Sequence, residues 1–451
     1  MSEDKNINDE KIIVGLDIGT TKVACIVGRK ASNGKIEILG YGKTVSTGVK
    51  RGVVTNIDDT VTAIKTAVSE ASENSNVEIS CVNVGIAGQH IKSIQHRGVM
   101  MRENRNKEIT EEELERLRLD TLKINMIPGE KIIDVIPQEY FVDGEFGNNP
   151  KGMLGSKLEA NFHVVICQES AAMNIAKCID RAGLQMDYMI LEPIASADAV
   201  LDEEEKEAGV ALVDIGGGTT DIAIFHEKKI YHSAVIPFAG NVITEDIKQG
   251  CSIISHYAEE VKVKFGSALA SENRQEEYVS IPGIKGRPAR EISFRNLASI
   301  IQARLDEIFD LVNYEIQKVN AEHKLIAGIV ITGGGALIKH IQQLAEFRTG
   351  LDVRIGYPNE HLSADTAKEM ASPMYATGIG LVIEGIMRQE HLERIEQSKG
   401  QNTVAKPAQE QAVEEESTEQ VEKEKKTQKK PFDITKIISS LSDFFKSEDI
   451  N

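Results

Sequence analysis

Two short segments of similar sequence decide the fold: LDIGTTKVACIVG at residues 16–28 and LVDIGGGTTDIAIFH at residues 212–226. In each, an apolar strand ends in an aspartate, a turn of Gly and Thr follows, and a second apolar strand leaves the turn. Backbone amides at a glycine turn approach phosphate groups closely, because glycine adds no side chain and accepts unusual backbone angles. One such hairpin is an ordinary glycine turn, but two in the same order predict a polyphosphate bound from both sides.

The two turns supply the candidate phosphate ligands. These are Gly19, Thr20, Thr21 and Lys22 in the first turn, and Gly216, Gly217, Gly218, Thr219 and Thr220 in the second. Asp17 and Asp214 would lie beside the phosphates. Because bare carboxylates repel phosphate, the pair predicts a Mg²⁺ ion between them, held largely through water.

Two further segments add candidate site residues. GIVITGGGALI at residues 328–338 follows an apolar strand, and its spacing differs from the dinucleotide-binding pattern G-x-G-x-x-G. A surface for the flat face of a base or ribose fits its glycines better; they are Gly333, Gly334 and Gly335. ILEPIASADAVL at residues 190–201 places Glu192 at the end of a strand, where a carboxylate can polarise an attacking water.

The order and spacing of these motifs resemble those of the actin superfamily of ATPases. Within it, DIGTTKVACIVG, GMLGSKLEA at residues 152–160 and the C-terminal segment resemble the FtsA family of bacterial cell-division proteins. The likeness spans about residues 11–385 and resumes at the extreme C-terminus. It implies an α/β fold with two related actin-like units around a nucleotide cleft, each carrying an inserted subdomain, and ATP and Mg²⁺ as cofactors.

The resemblance also implies a role for Glu259 and Lys262, which lie three residues apart in the helical pattern AEEVKVKFG. In relatives the equivalent pair reaches the ribose and the adenine. From spacing alone, a solvated salt bridge on one helix face explains the pair nearly as well.

Changes of pattern along the chain predict the boundaries of six regions. The first unit is assigned to residues 11–84 and 161–207 with an inserted subdomain at 85–160, and the second unit to 208–230 and 304–387 with an inserted subdomain at 231–303. Residues 388–430 are predicted to be a disordered linker, because they carry almost no large apolar side chain. Residues 431–447 follow as an amphipathic helix.

Composition excludes several classes of protein. The 451 residues predict roughly three domain-sized units. A net charge of −18 argues against a nucleic-acid partner, since binding to phosphate backbones needs a basic face. The five cysteines are scattered without a C-x-x-C pair, so neither a disulfide framework nor a zinc site is indicated. A polar N-terminus and the lack of a long apolar run predict a protein kept in the cytosol.

The C-terminal segment PFDITKIISSLSDFFKSEDIN predicts a helix that binds the membrane surface. Its apolar residues recur at helical spacing; together with the first aromatic residue they are Phe432, Ile434, Ile437, Ile438, Leu441, Phe444 and Phe445. The basic cluster KEKKTQKK at residues 423–430 precedes it and suits anionic lipid headgroups. Docking into a groove on a partner, or on the protein's own body, is the alternative.

The resemblance to the FtsA family implies a function in cell division. It implies FtsZ as the main partner, bound at the second insertion through basic residues that suit an acidic peptide: Lys285, Arg287, Arg290, Arg295 and Arg304. For any one of these residues, a solvated basic loop remains an alternative explanation. Further implied partners are copies of the chain itself in a filament, lipids of the inner face of the cytoplasmic membrane at the division site, and later division proteins at residues 85–160.

Two other functions share the hairpins and remain open at this point. A sugar kinase would need a catalytic aspartate and a polar substrate pocket, and a pilus-assembly scaffold resembling PilM would lack the amphipathic terminus. In the division protein, Glu192 alone predicts at most a slow ATPase, because no arginine finger or strong base stands at a recognisable spacing. The nucleotide is then expected to act mainly on conformation and polymerisation.

Overall fold

The structure is a computed structural model and describes residues 11–147, 149–283, 288–363 and 368–404. The predicted amphipathic helix, most of the predicted linker, Lys285 and Arg287 lie outside these ranges. Within the ranges, none of the helices combines the length and the apolar character needed to cross a membrane.

Strands and helices alternate along the chain. The strands are β1 Ile12–Ile18, β2 Lys22–Lys30, β3 Ile36–Val45, β4 Val49–Lys50, β5 Val53–Val54, β6 Cys81–Ile86, β7 Ile91–Met101, β8 Glu130–Val142, β9 Glu145–Gly147, β10 Lys157–Gln168, β11 Gln185–Leu191, β12 Val210–Ile215, β13 Thr220–His226, β14 Lys229–Ile236, β15 Tyr278–Ile281, β16 Arg290–Ser293, β17 Ile329–Thr332 and β18 Val353–Ile355. The helices are α1 Ile57–Ser75, α2 Glu111–Leu122, α3 Glu169–Ala182, α4 Glu192–Val200, α5 Glu203–Ala208, α6 Gly240–Cys251, α7 Ser255–Phe265, α8 Phe294–Lys318, α9 Ile341–Thr349 and α10 Ala376–Val404.

Two five-stranded sheets carry the two hairpins in equivalent positions. The first sheet has the order β11-β6-β1-β2-β3, and the second has the order β14-β13-β12-β17-β18. In the first, β1 pairs antiparallel with β2 and parallel with β6; in the second, β12 pairs antiparallel with β13 and parallel with β17. The matching topology confirms the predicted α/β fold of two related units.

Apolar cores hold each unit and join the two. Helices α1 and α3 cover one face of the first sheet, and α6, α8 and α9 cover one face of the second. A third apolar cluster combines residues of both sheets with α4 and α10. Helix α10 lies very close to α4, because a Cβ on Gly380 would come 1.7 Å from the carbonyl oxygen of Ala195. This contact fixes the helix that begins at Glu192.

The first insertion is larger than the sequence predicts. Strand β10 pairs along its whole length with β7 and β8, in a four-stranded sheet of order β7-β10-β8-β9. Assigning residues 161–168 to the first unit is therefore wrong. The buried residues Phe162, Val164 and Ile166 belong to the core of this inserted sheet. A fully buried apolar strand looks the same in sequence whichever sheet receives it.

The boundaries of the second insertion also move. Strand β14 is part of the second unit's sheet, although residues 231–236 were expected in the insertion. Helix α8 runs without interruption from Phe294 to Lys318, across the expected boundary at residue 304. The insertion therefore comprises α6, α7, the small β15–β16 sheet and the first part of α8.

Residues 388–404, which the sequence predicts to be disordered linker, are helical, because α10 continues to Val404. The segment is rich in Glu, Gln and Arg, which are good helix formers. Ion pairs four residues apart support the helix: Arg388 with Glu384 at 2.9 Å, and Arg394 with Glu390 at 3.8 Å. Low hydrophobicity does not separate a disordered segment from a polar helix, because both carry few large apolar side chains.

Candidate nucleotide site

The two glycine turns contact each other across the two units. A Cβ on Gly217 would lie 2.3 Å from Cγ2 of Thr21, and a Cβ on Gly218 would lie 2.4 Å from Oγ1 of Thr20. Real Cβ atoms do not approach that closely, so a side chain at either position would force the threonine of the other turn to move. The two predicted hairpins therefore meet in the structure.

The first turn carries the cation of the site. Lys22 Nζ donates to Asp17 Oδ2 at 3.0 Å and lies 5.1 Å from the ring centroid of Tyr375. Thr20 Oγ1 accepts a hydrogen bond from the amide of Gly52 at 3.2 Å, so its own proton remains available. Lys22 and Thr20 can therefore both donate to an anion at this turn.

The hydroxyl groups of the second turn point inward. Thr219 Oγ1 donates to Asp221 Oδ2 at 2.9 Å, and Thr220 Oγ1 donates to the carbonyl oxygen of Phe238 at 2.7 Å. Both threonines are buried. With those protons engaged inside the protein, backbone amides such as those of Gly217 and Gly218 are the candidate donors for phosphate in this turn. The expected role of the two hydroxyls is thus not what the geometry supports.

Behind the turns lies a group of buried carboxylates. Asp214 Oδ2 accepts from Ser196 Oγ at 2.7 Å and from Thr377 Oγ1 at 3.3 Å. Asp221 is its register partner across β12 and β13, and Asp221 Oδ1 is buried without a hydrogen-bond partner. Burial, together with the charge of Asp214, raises the pKa of Asp221 to about 8. Burial and the nearby Asp17 also raise the pKa of Asp214, although Ser196 opposes this.

Glu192 stands at the start of α4 beside these carboxylates. Burial raises its pKa well above the usual range, and the charges of Asp17, Asp221 and Asp214 raise it further. Its side chain packs on Gly85, where a Cβ would come 2.9 Å from Glu192 Cγ. A carboxyl with a raised pKa takes up a proton more readily than a free one, and a nearby cation would lower its pKa again.

The donor set fits a hydrated divalent cation better than a directly ligated one. In the ranges that the structure covers, no group of three or more His, Cys, Asp or Glu side chains is arranged to hold a metal ion. Asp17 and Asp214 nevertheless place carboxylate oxygens behind the turns. The buried Oδ1 of Asp221 has no hydrogen-bond partner there. Mg²⁺ keeps most of its coordinated water molecules and binds such carboxylates through those waters.

The third glycine cluster and the Glu259–Lys262 pair both border the second hairpin. Gly333 has a φ of 82°, and a Cβ there would lie 2.2 Å from Asp214 Oδ1, whereas Gly334 faces open space. Gly335 packs against Ile215. The cluster therefore lies at the base of the second turn, and its role as a surface for a base or ribose stays a prediction.

Lys262 is tied to the second hairpin rather than merely solvated. Its Nζ donates to Glu259 Oε2 at 2.7 Å, to Thr244 Oγ1 at 2.8 Å and to the carbonyl oxygen of Gly240 at 3.0 Å. The amide of Gly240 donates in turn to the carbonyl oxygen of Gly216. The predicted salt bridge between Glu259 and Lys262 is present. It belongs to a hydrogen-bond network that connects α7, α6 and the second glycine turn.

The structure covers three of the basic residues predicted to bind an acidic peptide at the second insertion. They differ in how far their charge is already engaged within the protein. Arg304 is engaged in a bidentate ion pair with Asp246, with a further pair to Glu307. Arg290 donates to the carbonyl oxygen of Cys251 at 2.9 Å. Arg295 is exposed in the first turn of α8. Arg304 therefore has a structural role, while Arg290 and Arg295 leave charge at the surface.

Sequence reasoning missed four residues of the site: Asp221, Ser196, Thr377 and Tyr375. Asp221 follows directly after the predicted turn, so an extra carboxylate in DIGGGTTD was a usable signal. Thr377 and Tyr375 reach the site from the start of α10 and the turn before it, far along the chain. Nothing local in the sequence marks them.

Solved structures with the same fold place the chain in a class. One chain of a PilM–PilN type IV pilus biogenesis complex matches with a TM-score of 0.61 at 16% identity, over 83% of this chain and 98% of that one. MreB5 of Spiroplasma citri bound to ADP matches with a TM-score of 0.52 at 16% identity, over 85% and 98%. The fold and the paired hairpins define a protein of the actin-like ATPase fold.

The family follows from sequence. Residues 211–380 match the family described as cell division protein FtsA, and residues 88–166 match the SHS2 domain inserted in FtsA. The cell division protein FtsA of Pseudomonas aeruginosa is 42% identical over 386 residues, covering 85% of this chain and 91% of that protein. That of Escherichia coli (strain K12) is 36% identical over 393 residues, covering 85% and 92%. The chain belongs to the FtsA family of cell division proteins.

The family membership confirms the resemblance seen in the motifs. The SHS2 match ends at residue 166, which agrees with the assignment of β10 to the inserted sheet. It also favours a division protein over the pilus-assembly scaffold and the sugar kinase, since the likeness to PilM is one of fold at 16% identity.

The raised pKa of Asp221 predicts a pH-dependent stability of the nucleotide-free protein. The folded state holds a proton on this carboxyl up to about pH 8, whereas the unfolded chain releases it near its ordinary value of 3.8. The free energy of unfolding should therefore fall as pH rises through this window. Asp221→Asn stays neutral, so its free energy of unfolding should match that of the parent at low pH and exceed it by on the order of 5 kcal/mol at pH 8.5.

Thermal and urea unfolding between pH 5 and pH 9 without nucleotide would measure this difference. Asp120→Asn removes an exposed carboxylate on α2 and serves as the control. A constant offset between Asp221→Asn and the parent at all pH values would show that Asp221 is ionised in the folded state.

Proposed function

We propose that this protein is an ATP- and Mg²⁺-binding, actin-like filament protein that anchors the FtsZ ring to the cytoplasmic membrane and helps to recruit later division proteins. The observation that carries the nucleotide part is the opposed pair of turns, each on a different unit and each with free amide or hydroxyl donors. Membership of the FtsA family supports the division role.

ATP would act as a ligand that couples the two units. The turns contact each other through Gly217 and Thr21, so a polyphosphate bound to both must change the relation between the units or stabilise one arrangement of them. Mg²⁺ would neutralise charge between the phosphates and the carboxylates of Asp17 and Asp214. With Glu192 as the nearest candidate for water orientation, hydrolysis is expected to be slow.

Asp214→Ala should abolish the Mg²⁺ dependence of ATP binding. The substitution removes the carboxylate that Ser196 and Thr377 hold in place, and the loss of metal-mediated charge neutralisation should weaken ATP binding by roughly 100-fold in the presence of Mg²⁺. Titration calorimetry with and without Mg²⁺ measures this. Asp120→Ala on α2 is the control, and equal ATP affinity of Asp214→Ala and the parent in Mg²⁺ would overturn the assignment.

The basic surface of the second insertion is the proposed site for an acidic FtsZ peptide. Lys285 and Arg287 lie outside the described residues, and Arg304 is committed to Asp246. Arg290 on β16 and Arg295 at the start of α8 are close in sequence and flank the junction of the two elements. An exposed arginine contributes mostly through screened attraction, which steers an acidic partner.

Arg290→Glu with Arg295→Glu should weaken binding of an acidic FtsZ C-terminal peptide by roughly tenfold at low salt, since each exposed charge pair is worth up to about 1 kcal/mol. The difference should shrink at high salt. Fluorescence anisotropy of a labelled peptide measures both effects. Arg274→Glu is the matched control, because Arg274 is an exposed arginine of the same subdomain, at 3.9 Å from Glu277. Equal losses in both variants would indicate nonspecific attraction.

The membrane part of the proposal rests on the sequence of the C-terminal segment. Its apolar residues share one face at helical spacing, and basic residues precede it, which gives the two signals that stable surface binding needs. One short helix binds weakly, so a filament that presents many such helices would bind far more tightly. Polymerisation would then control membrane attachment.

Ile438→Glu with Phe444→Glu should release the protein from anionic vesicles. Each substitution removes roughly 2 kcal/mol of apolar burial and adds a charge to the buried face, so the partition coefficient should fall more than about 100-fold. Sedimentation with liposomes measures the bound fraction. Ser439→Glu with Ser442→Glu adds the same charge to the polar face and should lose far less. Persistent co-sedimentation of the first variant would exclude a membrane anchor, and a lowered melting temperature would indicate docking on the protein's own body.

A further inference from the structure

A cavity of about 750 Å³ lies between the first insertion and the second unit. One wall is the outer face of the inserted sheet, with Arg97 on β7, Glu139 on β8 and Asn161 on β10. The other wall is formed by the β13–β14 turn and by the chain after α8, with Lys229 and Lys324. No residue of the two glycine turns lines it, so the cavity is separate from the nucleotide site.

The two walls are held together by strand β14. Ser93 Oγ donates to the carbonyl oxygen of Ser233 at 3.0 Å, and His163 Nε2 lies within hydrogen-bond distance of Ser233 Oγ, also at 3.0 Å. Gln138 Nε2 donates to the carbonyl oxygen of Ile230. Three side chains of the insertion thus form hydrogen bonds with β14, an edge strand of the second unit. Any ligand in the cavity would contact both subdomains.

Two amines of the cavity have no carboxylate partner within the described part of the chain. Lys324 Nζ lies 4.2 Å from the ring centroid of Tyr231 and donates to its hydroxyl at 3.1 Å. Lys229 Nζ lies 5.3 Å from the ring centroid of Phe146. Neighbouring lysines behave differently, since Lys228 pairs with Glu207 at 3.2 Å. Amines held against aromatic rings remain able to bind an incoming anion.

Two carboxylates, Glu139 and Glu227, also line the cavity, against the three cations Arg97, Lys229 and Lys324. Glu139 already accepts a hydrogen bond from Asn161 Nδ2 at 2.7 Å, and Glu227 is exposed in the β13–β14 turn with a φ of 51°. Arg97 adds a third cation on the opposite wall; it pairs with Glu159 at 3.2 Å and lies over the ring of Phe141 at 4.6 Å. The cavity therefore presents cations from both subdomains, with amide groups between them.

We propose that this cavity binds a small organic polyanion, a molecule with two or more carboxylate or phosphate groups, and that the bound anion strengthens the contact between the insertion and the second unit. The volume is that of a typical small-molecule site. Ammonium groups act as point charges for either kind of anion. A ligand that binds both walls together favours the arrangement in which they face each other.

Citrate is the probe, because its three carboxylates match the cavity and it carries no phosphate for the glycine turns. The full chain is titrated with citrate by calorimetry in magnesium-free buffer at low salt. Lys229→Gln with Lys324→Gln should weaken binding at least tenfold. Lys228→Gln with Lys318→Gln is the matched control, since these lysines lie in the same turn and helix end but pair with Glu207 and Glu315. The control should bind citrate like the parent.

Hydrogen exchange adds a readout of the proposed bridge. Amides of β14 should exchange more slowly when citrate is bound to the parent, and should not change in the Lys229→Gln, Lys324→Gln variant. Absence of citrate binding to the parent at 10 mM, or equal loss in both variants, would overturn the proposal. Pyrophosphate in place of citrate separates the two anion classes, and an unchanged ATP affinity in both variants shows that the nucleotide site is intact and independent.

Discussion

The close approach of the two glycine turns is the constraint on which the rest of the structure depends. Gly217 and Gly218 lie so near Thr21 and Thr20 that a single added carbon would fall 2.3–2.4 Å from a threonine side-chain atom. This contact sets the distance between the two sheets at the site. The shared apolar cluster of α4 and α10 supports it from behind, since Gly380 lets those helices pack without a side chain between them.

Bringing the turns together also concentrates negative charge. Asp17, Asp214, Asp221 and Glu192 lie near one another with Lys22 as the cation bonded to Asp17. Burial and mutual repulsion raise the pKa of three of these groups, so a nearby cation would stabilise their ionised forms. A site of this kind is less stable without a positively charged ligand. Binding of the proposed nucleotide and divalent cation would therefore be coupled to the conformation of the two units.

The local parts of the site could be predicted from the sequence, and the parts assembled by the fold could not. The hairpins were predictable because Gly, Thr and Asp at fixed spacing dictate a turn. The inward direction of Thr219 and Thr220 depends on Asp221 and Phe238, and Thr377 reaches Asp214 from far along the chain. The predicted domain boundaries are wrong at β10 and β14, because the sequence of a buried strand does not indicate which sheet it joins. Helix α10 continues beyond the end of its apolar pattern, because polar helix formers and ion pairs stabilise it there.

A crystal structure of the chain with ATP and Mg²⁺ would test the central claim most directly. The account predicts a triphosphate that contacts both turns, with donors from Thr20 and Lys22 on one unit and from the amides of Gly217 and Gly218 on the other. It also predicts a hydrated metal ion between the phosphates and the carboxylates of Asp17 and Asp214. A nucleotide bound to one turn alone, or bound with no metal ion near Asp214, would contradict the coupling of the two units through the site.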